Sequence, residues 1–164
     1  MTSKLSGKVA LVTGGSAGIG LGIAKRFAEE GARVFITGRR QSELDKAVTM
    51  IGGGATAVQG DISNLDDLDC IYATIKDKAG RIDVLAANAG YYEFGSFGEI
   101  TEEHFDKIFN TNVRGLLFTV QKALPLLTER ASVILTGSIA SIKGFPSLST
   151  YNASKAAVRS FARS

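Results

Sequence analysis

The chain has 164 residues, enough for one domain with a real core and too few for two comfortable ones. Its 45% hydrophobic and 21% charged residues are those of a globular protein, and a net charge of +3 without a basic stripe interleaved with aromatics argues against nucleic acid as a partner. Cys70 is the only cysteine and His104 the only histidine, so an internal disulfide and a multi-histidine metal site are excluded and no metal is expected.

The stretch Met1–Lys8 lacks the apolar centre of a secretion signal, and the run Val9–Val12 is far too short to cross a membrane. The cytoplasm is the expected location, with no membrane partner. Along the chain, short β-branched runs alternate with longer helical patterns, as in a parallel sheet wrapped by helices. Lys8 to Val12 reads as the first strand. The helix after the glycine loop carries Ile19, Ile23 and Phe27 on one face and ends at Gly31. Arg33 to Thr37 is the second strand, Ser42 to Ile51 the second helix, and Ala55 to Gln59 the third strand. Ser63 is the expected cap of a third helix with Leu65, Leu68, Ile71, Tyr72 and Ile75 inside. Ile82 to Ala87 is the fourth strand, and Thr101 caps a long helix reaching about Thr128. Ser132 to Thr136 is the fifth strand, and a last helix begins near Tyr151. Together these predict one α/β domain over residues 1–164, a Rossmann-like doubly wound parallel sheet of order 3-2-1-4-5. The long helix is apolar on more than one face (Phe105, Phe109, Val113, Leu117 and Leu124 among others), which fits either deep burial or a subunit interface.

Between the first strand and the first helix lies Thr13-Gly14-Gly15-Ser16-Ala17-Gly18-Ile19-Gly20. A strand-loop-helix junction of this kind directs backbone amides and a helix dipole at a diphosphate. Gly14 permits the tight turn, Gly18 keeps a side chain out of the ligand's path, and Gly20 lets the helix approach the sheet. The loop contains no G-x-G-x-x-G, and Leu21-Gly22 replaces the Lys-Ser or Lys-Thr of a P-loop, so nucleoside triphosphate hydrolysis is not expected. At the end of the second strand, where an acid often binds ribose hydroxyls, the chain reads Thr37-Gly38-Arg39-Arg40. Guanidinium pairs with a 2′-phosphate, which favours NADP(H) over NAD(H). The alternative is a pair of solvated arginines opening a helix. Asp61 is placed to meet the adenine amino group, unless it simply leads the next helix.

Ser138 follows the fifth strand, and Tyr151-Asn152-Ala153-Ser154-Lys155 follows a loop, so hydroxyl and phenol can meet at the carboxyl edge of the sheet. Tyr72 and Lys76 repeat the Tyr-x-x-x-Lys spacing but lack that context. A lysine one helical turn from a tyrosine stabilises its phenolate, letting Tyr151 pass a proton to or from a carbonyl oxygen. Ser138 would hydrogen-bond the same oxygen.

These motifs, with Asn88-Ala89-Gly90 and Asn112 in between, resemble the single-domain short-chain dehydrogenase/reductase family along essentially the whole chain. The resemblance implies that Asn112 completes a catalytic tetrad with Ser138, Tyr151 and Lys155, holding a water in a proton relay. It also implies that Lys155 binds the nicotinamide ribose and that Asn88-Ala89-Gly90 packs beside the cofactor. Ala87 stands where the family often has a further Asn. The expected cofactor-binding set is Gly14, Ser16, Gly18, Ile19, Gly20, Arg39, Arg40, Asp61, Ile62, Asn88, Ala89 and Gly90, with Tyr151 and Lys155. Family members continue past the helix after Lys155 through two more strands and a substrate loop. The resemblance therefore makes this an incomplete domain with an unpaired edge at the fifth strand. It further implies a homodimer or homotetramer built on the long helix and the Lys155 helix. The expected function is hydride transfer between NADP(H), or alternatively NAD(H), and a small-molecule carbonyl or secondary alcohol. A non-catalytic dinucleotide-binding or oligomerisation module is the alternative. Tyr91, Tyr92, Phe94 and Phe97 either line an apolar pocket or are packing.

Overall fold

Strands covered on both faces must be apolar at nearly every position. That condition is met by β1 (Val9–Thr13) and β4 (Ile82–Ala87), and nearly so by β2 (Arg33–Gly38). In the computed structural model, which describes residues 3–164, these three occupy the centre of one sheet. With β3 (Thr56–Gln59) and β5 (Leu127–Leu135) they form a parallel sheet of order β3-β2-β1-β4-β5, the order expected from the sequence. Register places Leu11 between Phe35 and Leu85, and Val12 between Ile36 and Ala86.

Because side chains alternate, these two rows face opposite layers. The Leu11 row packs on α3 (Leu65–Ala79) through Leu68, Ile71, Tyr72 and Ile75. The Val12 row packs on α1 (Gly18–Glu29) and α2 (Gln41–Ile51) through Ala24, Leu44, Ala47 and Ile51. Each fully buried Leu, Ile or Phe in these layers stabilises the fold by roughly 2 kcal/mol relative to exposure. The cap of α3 is Asn64, whose side chain accepts the Asp66 N–H at 2.9 Å. The expected cap, Ser63, instead donates its hydroxyl to Asp61 at 2.8 Å.

The long helix expected from Thr101 to Thr128 is the main correction. Thr101 does cap it, accepting the His104 N–H at 3.2 Å, but the helix is in pieces. These are α4 (Glu102–Phe109), a π-helical turn (Asn110–Gly115), α5 (Leu116–Ala123) and a short 3₁₀ turn (Leu124–Leu126). Pro125, which has no N–H, sits where the helix gives way, and β5 starts at Leu127, five residues before Ser132. The π turn lies close against the loop that follows β3, where a Cβ on Gly115 would come within 2.9 Å of the Ile62 carbonyl oxygen. Phe105 and Phe109 stack at 4.2 Å between centroids, and Phe105 and Leu117 remain 44% and 40% exposed. The last helix, α6 (Ser149–Phe161), begins two residues before Tyr151. Among the described residues β5 pairs only with β4, and no helix is long and apolar enough to cross a membrane.

Candidate active site

The strand ends that follow β1, β2, β4 and β5 converge on a cleft of about 660 Å³ at the carboxyl edge of the sheet. At one side is the glycine loop, held by contacts that explain its composition. Gly14 adopts φ +65°, and a Cβ there would lie 2.9 Å from the Ala89 Cα. A Cβ on Gly20 would overlap the Gly14 carbonyl oxygen and sit 2.6 Å from the Asn88 amide nitrogen. At Gly18, by contrast, the space is open. Helix and loop thus meet backbone to backbone and leave a bare cradle at the N-terminus of α1.

Asn88 fastens this edge. Its side-chain amide donates to the Thr13 carbonyl at 3.1 Å and accepts from the Thr136 hydroxyl at 3.3 Å, joining the ends of β1, β4 and β5. The Thr13 hydroxyl accepts the backbone N–H groups of Asn88 and Ala89 at 3.0 and 3.1 Å. The motifs themselves assign no role to Thr13, which opens the glycine loop, or to Thr136; the signal for both is a hydroxyl at the end of a strand beside a motif. On the far side Arg39 lies 3.9 Å from Asp61, the arginine mostly exposed and the aspartate half-buried, so the guanidinium is not locked away from a ligand. A Cβ at Gly38 would crowd the Ser16 hydroxyl at 3.2 Å and Leu44 at 3.5 Å, so the glycine keeps the space beside Arg39 clear.

At the other end of the cleft Ser138, Tyr151 and Lys155 come together. Ser138 accepts the Ala140 N–H at 3.1 Å, which starts a 3₁₀ turn and orients its hydroxyl. Lys155 is 4% exposed, donates to the Thr136 carbonyl at 2.8 Å and lies 5.8 Å from the centre of the Tyr151 ring. Burial holds its ammonium below the ordinary lysine pKa. The sequence's own control behaves differently. Tyr72 is buried, its phenol pushed up by desolvation, and its hydroxyl donates to the Thr119 carbonyl to tie α3 to α5.

Every expected site residue lines this cleft except Asn112. Asn112 is fully buried behind it in the π turn. Its Oδ1 accepts the Tyr91 N–H, and its Nδ2 donates to the Tyr91 carbonyl and the Ser154 hydroxyl, at 2.8, 2.8 and 2.9 Å. Both amide protons are therefore committed to protein. The Asn112 side chain fixes the exit of β4 to α6.

The sequence profile described as short chain dehydrogenase matches residues 8–164. The chain belongs to that family. It is 50% identical over 163 residues to Oxidoreductase asL5 of Sarocladium schorii, covering 98% of this chain and 66% of that protein. An NADP-dependent (R)-specific alcohol dehydrogenase of Lentilactobacillus kefiri is 38% identical over 169 residues, with 100% and 67% covered. Among solved structures, a 3-ketoacyl-(acyl-carrier-protein) reductase from Brucella melitensis complexed with NADH superposes with a TM-score of 0.92 at 35% identity, covering 96% of this chain and 68% of that one. The chain thus spans about two thirds of the length of the curated relatives it matches. The family's short chain dehydrogenases bind NAD(P), and Ala87, its departure from the usual asparagine, is buried against Leu116 and Val158.

Proposed function

We propose that this protein is an NADP(H)-dependent oxidoreductase that interconverts a small-molecule ketone or aldehyde and the corresponding alcohol. The observation that carries the reading is the meeting of Tyr151, Lys155 and Ser138 at one end of a cleft whose other end is a glycine cradle beside Arg39. Gly14, Ser16, Gly18, Ile19 and Gly20 supply a diphosphate cradle; the closed contact at Gly20 and the open space at Gly18 fit that group. Arg39, with Arg40 beside it, supplies cations for a 2′-phosphate, while Asp61 and Ile62 border the adenine end and Asn88, Ala89 and Gly90 the nicotinamide end. The bound nicotinamide supplies or accepts the hydride. In the reducing direction Tyr151 gives its phenolic proton to the carbonyl oxygen, Ser138 donates a hydrogen bond to that oxygen, and the Lys155 cation stabilises the phenolate left behind. Asn112 acts one step back, holding Tyr91 and Ser154 around the trio. The exposed Phe105 and Leu117 on α4 and α5 fit a homodimer or homotetramer contact, with cytoplasm as the working compartment.

Tyr151→Phe tests this directly. Turnover should fall about a thousandfold, a typical loss for a positioned acid, while NADPH affinity by fluorescence titration stays within about twofold. Retained turnover would overturn the assignment. An NADPH affinity no greater than that for NADH would move the cofactor to NAD(H) and leave the chemistry in place.

A further inference from the structure

The segment leaving β4 is fixed at both ends. Asn112 holds both backbone groups of Tyr91, and the Gly95 N–H donates to the Ser147 carbonyl at 2.9 Å, tying the segment to the loop before α6. The Tyr91 ring is fixed as well: its hydroxyl donates to Glu93 at 2.7 Å, and the Lys107 ammonium stands 5.5 Å from its centre. Between these anchors Tyr92 projects into the cleft with no hydrogen bond of its own among the described residues. Its ring meets Tyr151 at 6.0 Å and 65°, and meets Phe94 at 5.9 Å and 88°. Tyr92 is 60% exposed and Phe94 67%.

Three rings therefore run in edge-to-face contact outward from the proposed proton donor. Two of them keep most of their surface in water on a backbone that is already ordered. A flat ring entering beside Tyr92 would bury that surface and gain a ring–ring interaction without ordering the loop. A ketone without that ring buries less of this surface and gains no such interaction. Resting on the carbonyl chemistry assigned above to Tyr151, we propose that Tyr92 is a specificity-determining residue that selects ketones carrying an aromatic ring close to the carbonyl, arene-fused cyclic ketones above all.

The test compares β-tetralone with cyclohexanone, the same ketone ring with and without the fused arene. Wild-type protein should have the higher kcat/KM for β-tetralone. Tyr92→Ala and Tyr92→Leu should each lower kcat/KM for β-tetralone about tenfold, mainly through KM, and change cyclohexanone by less than about twofold. Tyr92→Phe should restore the wild-type value. Equal losses on both ketones would assign Tyr92 a structural role and overturn the inference, as would no loss on β-tetralone. If wild-type protein reduces cyclohexanone without preferring β-tetralone, the inference fails and the oxidoreductase reading stands. If it reduces no ketone at all, both fall.

Discussion

At the amino end of the sheet, Asp83 is buried but surrounded by donors: the Val9 N–H at 2.9 Å, Arg81 at 3.0 Å, Lys8 at 3.2 Å and the Thr128 hydroxyl at 3.4 Å. At the carboxyl end, Lys155 is equally buried, yet among the described residues it has one carbonyl partner and no carboxylate. Burial alone would raise the Asp83 pKa, but the Val9 N–H, Arg81 and Lys8 outweigh it and hold the carboxyl below 3.8. Nothing offsets the burial of Lys155, whose pKa falls. One end of the sheet uses its hydrogen-bonding capacity to hold the strands together. The other leaves a charge and two hydroxyls free for a ligand. The difference separates residues that stabilise the fold from residues that are held against its interest.

The two ends of the sheet differ most at Lys155. Lys155→Met should lower kcat about a thousandfold, yet leave the urea midpoint at pH 7 no lower than wild type, because it removes a buried unpaired charge. In wild type, stability should also rise with pH as the folded lysine loses its proton while the unfolded one, near 10.5, still holds it; the variant should lack that rise. Gly20→Ala forces a Cβ into the Gly14 carbonyl and should cost about 3 kcal/mol in chemical denaturation, with loss of NADPH binding. Asp83→Asn is the opposite case. It should cost about 2 kcal/mol, a figure reduced because Lys8 and Arg81 are half exposed, and leave NADPH affinity unchanged. The wild-type increment should persist to mild acid and disappear only as pH falls through the depressed Asp83 pKa, below 3.8. The smallest effect is at Arg39, which is mostly exposed and only loosely paired with Asp61: Arg39→Ala should weaken NADPH about tenfold and NADH hardly at all.

The fold was legible where local pattern and tertiary role agree. Ile82–Ala87 reads as a strand because a fully buried parallel strand has to be a continuous apolar run. The glycine loop reads as a cradle because close backbone approach admits no other residue at Gly20. The stretch from Thr101 to Leu135 was only half legible. Phe109, Val113 and Leu116 keep helical spacing across the π turn, although the turn itself is mostly polar, so a slip in helical register leaves no trace in the apolar pattern. Leu127-Thr-Glu-Arg does not look like a strand, and its pairing is fixed by β4, across an irregular register between Ile82 and Val84. Pro125 was the available signal for the helix end. At the site, the spacing of Tyr151 and Lys155 was readable, whereas the partners of Asn112 lie in segments far apart in sequence that only the fold brings together.

The π turn Asn110–Gly115 has a consequence for how this chain tolerates changes of length. A π turn holds one residue more than the α-helical turn it replaces, while the helices on either side keep their phase. Deleting a single residue there would give an unbroken, locally more regular helix with its buried face still aligned. The same deletion would swing the amide now on Tyr91 by about 100°, releasing the backbone that presents Tyr92 and the serine that precedes Lys155. Most one-residue deletions in a helix rotate everything that follows and spoil the packing. Here the packing would survive and the site would not, so a chain shortened at this point should be folded, quiet and inactive.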